Sequence, residues 1–254
     1  MKNKYVNFIS DDHFMDCIGN LHKAYLKAKN NITKKNFYSN KVDTIKLTFD
    51  SKFNDIDEVG LIQSEILRQI DKSINNSIGT FHEQIFCGIK GFEAGNLSGY
   101  DIKAKDDTLF ADIKNKHNTM NSSAAEALFQ KLARYANDYK KAKCYWVQIL
   151  AKGSFSELWS GDINGKEYSH SRVYKISGDQ FYTLLSGQED AMFQLYKVLP
   201  AAIKNYLKSA DQSEEIADNS ALDELKVETK KSKRSILDQI TFENYSYYLD
   251  FDKL

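Results

Sequence analysis

Gly99-Tyr100-Asp101-Ile102 and Ala111-Asp112-Ile113-Lys114-Asn115-Lys116-His117 are the two stretches on which the reading of this chain turns. Residues 100–105 and 108–114 alternate polar and apolar side chains on either side of Lys105-Asp106-Asp107-Thr108, which predicts a hairpin. On a strand, residues two apart share a face. Asp112, Lys114 and Lys116 therefore point one way, while Ala111 and Ile113 point into a core. Pairing through the short turn brings Asp101 beside Asp112. Two carboxylates held together repel and raise one another's pKa unless a cation sits between them. Mg²⁺ prefers carboxylate oxygens and binds through one or two of them while keeping its waters. A lysine two residues on can orient or deprotonate a water, or stabilise the charge of a reacting phosphate. That set is a minimal phosphodiester-hydrolysing site. Lys116, on the same face, is a second candidate for the lysine.

Outward from the hairpin, the expected element order sharpens this reading. Asp is disfavoured within strands, yet both strands carry one. Phe81, Ile85 and Phe86 predict a short helix from near Ser77, and Glu83 on it puts a third carboxylate within reach of the cleft. Residues 88–94 read as a short strand. Ser123-Ala124-Ala125-Glu126 fits a capping box that opens a helix carrying Leu128, Leu132, Tyr135 and Tyr139 on one face. Lys143–Leu150 is nearly continuous and β-prone, a strand buried on both faces. Residues 77–150 thus read α-β-β-β-α-β, a mixed sheet with helices on its faces.

The flanks are read more coarsely. Residues 11–29 place Phe14, Ile18, Leu21 and Tyr25 at helical spacing, with Ser10 or Asp11 as N-cap. Residues 43–49 alternate and are expected to form a strand. Ile62, Ile66, Ile70 and Ile74 predict a second helix over 57–75. Beyond 150, strands are expected at 155–160 and 171–176, joined through Gly161-Asp162-Ile163-Asn164-Gly165, then helices at 178–186 and 188–207. The acidic stretch 209–225 and the basic run 226–234 read as a solvated linker or exposed helix. The aromatics Tyr245, Tyr247, Tyr248 and Phe251 are expected to pack back on the body.

The core order, with an Asp opening one strand and Asp-x-Lys on the next, resembles the PD-(D/E)XK nuclease superfamily. Asp101 matches its first acid, Asp112 its second, Lys114 its lysine, and Glu83 the acid many members carry on the first core helix. Tyr100 stands where the family has Pro. The longer run Asp112–Ser122 resembles the type II restriction endonucleases of the SinI-like group, which cut GGNCC or GGWCC sites. That resemblance extends more loosely through Ser177-Gly178-Asp179-Gln180-Phe181-Tyr182. It implies a restriction-endonuclease-like α/β core with N-terminal helices and a C-terminal extension. It also implies Mg²⁺-dependent cleavage of double-stranded DNA to 5′-phosphate ends by a homodimer on a palindrome. Glu83, Asp101, Asp112 and the carbonyl of Ile113 would hold the metal, and a cognate DNA methyltransferase would act on the same site without having to bind this chain. The expected organisation is one endonuclease domain over residues 1–254. Within it, residues 1–76 are helical, residues 77–150 form the catalytic core, and residues 151–254 serve recognition and dimerisation.

Composition agrees with a globular protein that binds DNA locally. Lys+Arg and Asp+Glu both number 35 in 254 residues, so no global charge draws a polyanion. Residues 102–143, in contrast, carry a net charge of +4. Phosphates supply affinity, and base edges are read by Arg, Lys, Asn and Gln. Lys116, His117, Asn118, Asn121 and Ser122, just before a helix N-terminus, are the candidate DNA contacts, with Arg172 a further guanine reader. The alternative for that loop is simple helix capping. Gly and Pro make up about 5 % against roughly 12 % on average, which argues against a disordered or fibrous chain. Cys17, Cys87 and Cys144 show no paired spacing and read as buried thiols in a reducing compartment. No signal peptide and no membrane-length apolar run is seen, so a cytoplasmic protein is expected. The rival readings are a structure-selective or repair nuclease of the same superfamily, and a DNA-binding module that does not cut.

Overall fold

The computed structural model describes residues 3–30, 32–95, 99–209 and 220–246. In chain order the elements begin with α1 (Asp11–Asn30), α2 (Lys34–Ser39), α3 (Thr44–Asn54) and α4 (Glu58–Cys87). β1 (Phe92–Ala94), β2 (Ile102–Ala104) and β3 (Leu109–Lys116) follow, then α5 (Ser122–Asp138) and β4 (Lys143–Leu150). β5 (Ser156–Leu158), β6 (Gly161–Ile163), β7 (Lys166–Tyr168) and β8 (Val173–Ser177) lead into α6 (Gly178–Ser186), α7 (Ala191–Ser209), α8 (Ala221–Ser232) and α9 (Ile236–Tyr245).

The chain divides into two compact units. The first joins residues 1–21 to 78–211; the second joins 22–77 to 212–254. The first unit holds a six-stranded mixed sheet ordered β1-β2-β3-β4-β8-β5. β1, β2 and β3 form an antiparallel meander, and β3, β4 and β8 run parallel. Parallel strands need a crossover, and α5 supplies it between β3 and β4. One face of the sheet packs Ile102, Ala111, Ile113, Val147 and Ile176 against Phe14, Phe81, Phe86, Phe181 and Tyr182. The other packs Phe110, Cys144 and Val173 against Leu128, Phe129, Leu132 and Trp159. The αβββαβ core, a mixed sheet flanked by helices, is present as the sequence predicts.

Several local expectations are corrected. Residues 43–49 are not a strand but the start of α3. Asp43 caps it by accepting from the Lys46 amide at 3.0 Å, and Asp55 ends it in the left-handed conformation. The alternation misleads because only Thr44 and Leu47 face inward, three apart, while Ile45 and Phe49 are exposed. The expected break near Ser77 is absent, and α4 runs unbroken. Ser73, Asn75 and Ser77 each donate to the carbonyl four residues back, so their polar groups join the helix and do not end it. Asn121, not Ser123, caps α5 by accepting from the Ala124 amide at 2.9 Å. Residues 161–165 are more than a connection, because they open the β6–β7 hairpin. Asn164 and Gly165 take the positive φ angles its turn requires, 59° and 78°.

In the second unit, Ile32, Phe37, Leu47, Ile62, Ile66, Leu225 and Ile240 form a separate core. The basic run ends helix α8, whose Ala221 and Leu225 are fully buried. Most of the acidic stretch and Tyr247, Tyr248 and Phe251 lie outside the described residues.

Candidate active site

β2 and β3 pair with Ile102 opposite Ala111 and Lys103 opposite Phe110, and one further step of that register sets Asp101 opposite Asp112. The Asp101 Oδ2 accepts from the Ile113 amide at 2.6 Å, which fixes its carboxylate against the Asp-x-Lys strand. Asp112 itself is only 4 % exposed, because β3 is covered on both faces. Lys114 Nζ stands 2.5 Å from its Oδ1. Lys131 Nζ, from α5, donates to its Oδ2 at 2.5 Å. The two contacts differ in kind: Oδ1 is buried and receives no aligned hydrogen bond, whereas Oδ2 does.

The third carboxylate responds to the other two. Burial, then the charge of Asp101, push Glu83 up to about 7, with Asp112 adding to the rise and Lys114 opposing it. Burial also raises Asp101 from its ordinary value, and the nearby Asp112 adds to that, while the Ile113 amide and both lysines work the other way. Glu83, Asp101, Asp112 and Lys114 thus lie within electrostatic reach of one another where β2 meets β3. Lys131 is an addition that the sequence pattern does not predict. Its only sequence signal is a lysine between Leu128 and Leu132, at the margin of the buried stripe of α5.

The donor set suits a hard cation. Among the described residues no three His, Cys, Asp or Glu side chains close a cage on an ion. Mg²⁺ does not need one, since it takes one or two carboxylates and retains water. The buried Oδ1 of Asp112, lacking an aligned donor, and the crowded carboxylates around it fit such an ion. Nitrogen or sulfur ligands of the zinc type do not belong to the group.

The candidate DNA residues fall at two ends of the sheet. Lys116 is exposed at the C-terminal end of β3, opposite Leu150. His117 follows, its amide donating to the Leu150 carbonyl at 3.1 Å and its Nδ1 lying 3.2 Å from the same oxygen. Asn118 and Asn121 lie in the exposed connection to α5, whose first residue is Ser122. Asn121 uses its oxygen for the cap and keeps its amide hydrogens. Arg172 lies at the other end, just before β8. Its Nη1 donates to the carbonyls of Tyr139, Lys140 and Ala142, closing the turn after α5. Of the other histidines, His82 is half-buried on α4 beside the Tyr182 hydroxyl (2.8 Å), and desolvation of its ring pushes it down to about 4. His170 lies 3.2 Å from Asn137. Cys17 and Cys144 are buried and Cys87 is half-buried, all as free thiols raised by burial.

The profile of the Eco47II restriction endonuclease matches residues 6–208 of this chain. The type II restriction enzyme Sau96I of Staphylococcus aureus is 37 % identical over 262 aligned positions, covering 99 % of this chain and all of that protein. The type II restriction enzyme Eco47II of Escherichia coli is 28 % identical over 213 positions, 80 % of this chain and 88 % of its own length. An αβββαβ sheet with paired acids and a lysine on its meander, in a chain with these relatives, defines a type II restriction endonuclease, a site-specific deoxyribonuclease. Within that class, the chain belongs to the Eco47II restriction endonuclease family.

Proposed function

We propose that the enzyme is Mg²⁺-dependent and cuts double-stranded DNA at a GGNCC- or GGWCC-type palindrome, leaving 5′-phosphate and 3′-hydroxyl ends. The observation that carries this reading is the buried Asp112, set beside Asp101 and Lys114 and within electrostatic reach of Glu83, with one oxygen lacking an aligned donor. Asp101, Asp112, Glu83 and the carbonyl of Ile113 would hold the metal, which when bound neutralises the carboxylates and polarises the scissile phosphate. Lys114, as an ammonium, orients the attacking water and stabilises the negative charge that develops on the phosphate, while Asp101 is kept in place by the Ile113 amide. Lys116 is exposed and more remote from Asp112 along β3, which favours phosphate contact for it over water activation. His117, Asn118, Asn121 and Ser122 present further donors at the N-terminus of α5, an anion-binding position. Arg172, at the far end of the strands, serves as a guanine reader only on releasing its three carbonyls.

The site length and symmetry follow the SinI-like resemblance. A palindrome is matched by a homodimer, each copy acting on one strand, and the whole chain is read as one endonuclease domain. Among the described residues no helix is long and apolar enough to cross a membrane, in keeping with a cytoplasmic enzyme whose methyltransferase modifies the same site independently. The test is digestion of a fully sequenced, unmethylated phage DNA with Mg²⁺, with EDTA and with Asp112→Ala. Discrete Mg²⁺-dependent fragments whose ends map to GG…CC sites are expected, and absent in the other two lanes. Uncut duplex in Mg²⁺, with cleavage only of branched DNA, would replace this reading by a structure-selective one. Binding in Ca²⁺ without any cutting would replace it by a binding module.

A further inference from the structure

The buried carboxylate of Asp112 faces two ammonium groups, and the superfamily pattern accounts for one of them. Lys114 comes from the same strand, two residues away. Lys131 reaches in from α5, 19 positions further along the chain, and its contact is the better formed. It donates a hydrogen bond to Oδ2, whereas Lys114 lies against an Oδ1 that receives none. Its side chain is 28 % exposed, against 34 % for Lys114, so both heads stand at the mouth of the site. The stem of Lys131 lies on the margin of the stripe that carries the fully buried Leu132 and the buried Leu128. An apolar stem packed in this way limits the directions its charged head can take. No other carboxylate is paired with Lys131 among the described residues, so the interaction is specific to Asp112.

We propose that Lys131 is the positioning residue of Asp112: it holds Oδ2 and thereby leaves Oδ1 to the cation and Lys114 to the water. A carboxylate gripped at one oxygen by a residue on another element cannot rotate to present both oxygens to Lys114. With Lys131 removed, Lys114 becomes the sole cation at Asp112 and competes with the metal for the same oxygens. Partners that orient a ligating side chain without touching the metal commonly change affinity by about 10–100-fold when lost. The division of labour assigns Lys131 to cation affinity and Lys114 to the rate at saturating cation. It rests on the proposed metal site at Asp112.

The test uses the full-length enzyme on a duplex containing its site. Ca²⁺ is titrated calorimetrically, and single-turnover cleavage is measured against Mg²⁺ concentration, for wild type, Lys131→Gln, Lys131→Arg, Lys114→Gln and Asp112→Ala. Lys131→Gln should raise the Ca²⁺ midpoint and the Mg²⁺ half-saturation together, by about tenfold, and Lys131→Arg, which can still grip Oδ2, should restore most of both. Lys114→Gln should lose cleavage at every Mg²⁺ concentration while its Ca²⁺ midpoint does not rise. A lowered Ca²⁺ midpoint in Lys131→Gln would overturn the proposal, since Lys131 would then be a competitor of the cation. Unchanged midpoints in Lys131→Gln, or a loss not rescued by Arg, would overturn it too, leaving Lys131 a structural contact. Should Lys131→Gln fail to fold, Lys131→Arg against Lys131→Met provides the same comparison. If Asp112→Ala binds Ca²⁺ and cuts like wild type, the metal reading itself fails, and the role of Lys131 with it.

Discussion

Glu126 and Asp112 both answer to helix α5, yet they are satisfied in opposite ways. Glu126 gathers fixed donors from the β6–β7 hairpin: the Tyr168 hydroxyl at 2.5 Å, the Asn164 amide at 3.0 Å and Lys166 Nζ at 3.3 Å. Those hydrogen bonds, that of Tyr168 foremost, hold it down to about 2. Around Asp112 the trend reverses. Glu83 is pushed up to about 7 and Asp101 is raised, because burial and mutual repulsion outweigh the donors present. A carboxylate that only braces a fold is saturated by neighbours; in the proposed metal-binding group, burial and repulsion raise Glu83 and Asp101 instead. Perturbation in the unfavourable direction, shared by neighbouring acids where β2 meets β3, is the physical feature on which the proposed reacting site rests.

The comparison can be broken most severely at Asp112. Asp112→Ala and Lys114→Ala should each reduce single-turnover cleavage by about a thousandfold or more, with near-wild-type circular dichroism. Wild-type rates from either would show that the under-satisfied group is not the reacting one. The next effect is on stability against pH. Between the ordinary glutamate value of 4.5 and the folded value of about 7, the unfolded chain releases a proton that Glu83 retains. Stability of the metal-free enzyme therefore falls as pH rises through that window, and Asp101 contributes in the same direction. Glu83→Gln should lose less melting temperature than wild type between about pH 5 and pH 8, a difference that thermal melts in EDTA would read. Equal slopes would mean that Glu83 is not strained by its neighbours.

The smallest effect belongs to the saturated cluster. Glu126→Gln should leave the cleavage rate and its Mg²⁺ dependence unchanged and lower the melting temperature slightly at neutral pH. Its contribution, with the folded pKa depressed, is present above about 4.5 and is lost as pH falls toward about 2. A cleavage defect in Glu126→Gln would erase the distinction between the two clusters.

What is legible in the sequence is what is local. Asp101, Asp112 and Lys114 lie on one hairpin, so period-two alternation and a short turn are enough to place them. Glu83 sits within a helical stripe whose buried Phe81, Ile85 and Phe86 fix which side faces the sheet. Lys131 is hidden because its partner lies across a crossover, and nothing in α5 alone says which strand residue it will meet. The alternation of Ile45, Leu47 and Phe49 reads as a strand because period two competes with period 3.6 over so short a run. The cap at Asp43 decides it. The sequence suggests one helix ending at 75 and another starting near Ser77, yet the hydrogen bonds of Ser73, Asn75 and Ser77 back into α4 carry it through as one. Asn121 outcompetes Ser123 for the cap of α5 because the chain enters the helix earlier than the capping box implies.

Thermal melting of the DNA-free enzyme with increasing Ca²⁺, for wild type, Asp112→Asn and Glu126→Gln, addresses the central claim most directly. With the proposed cation site at Asp112, wild type and Glu126→Gln should gain melting temperature in step with Ca²⁺, and Asp112→Asn should gain none. Equal Ca²⁺ stabilisation of Asp112→Asn and wild type would contradict the account.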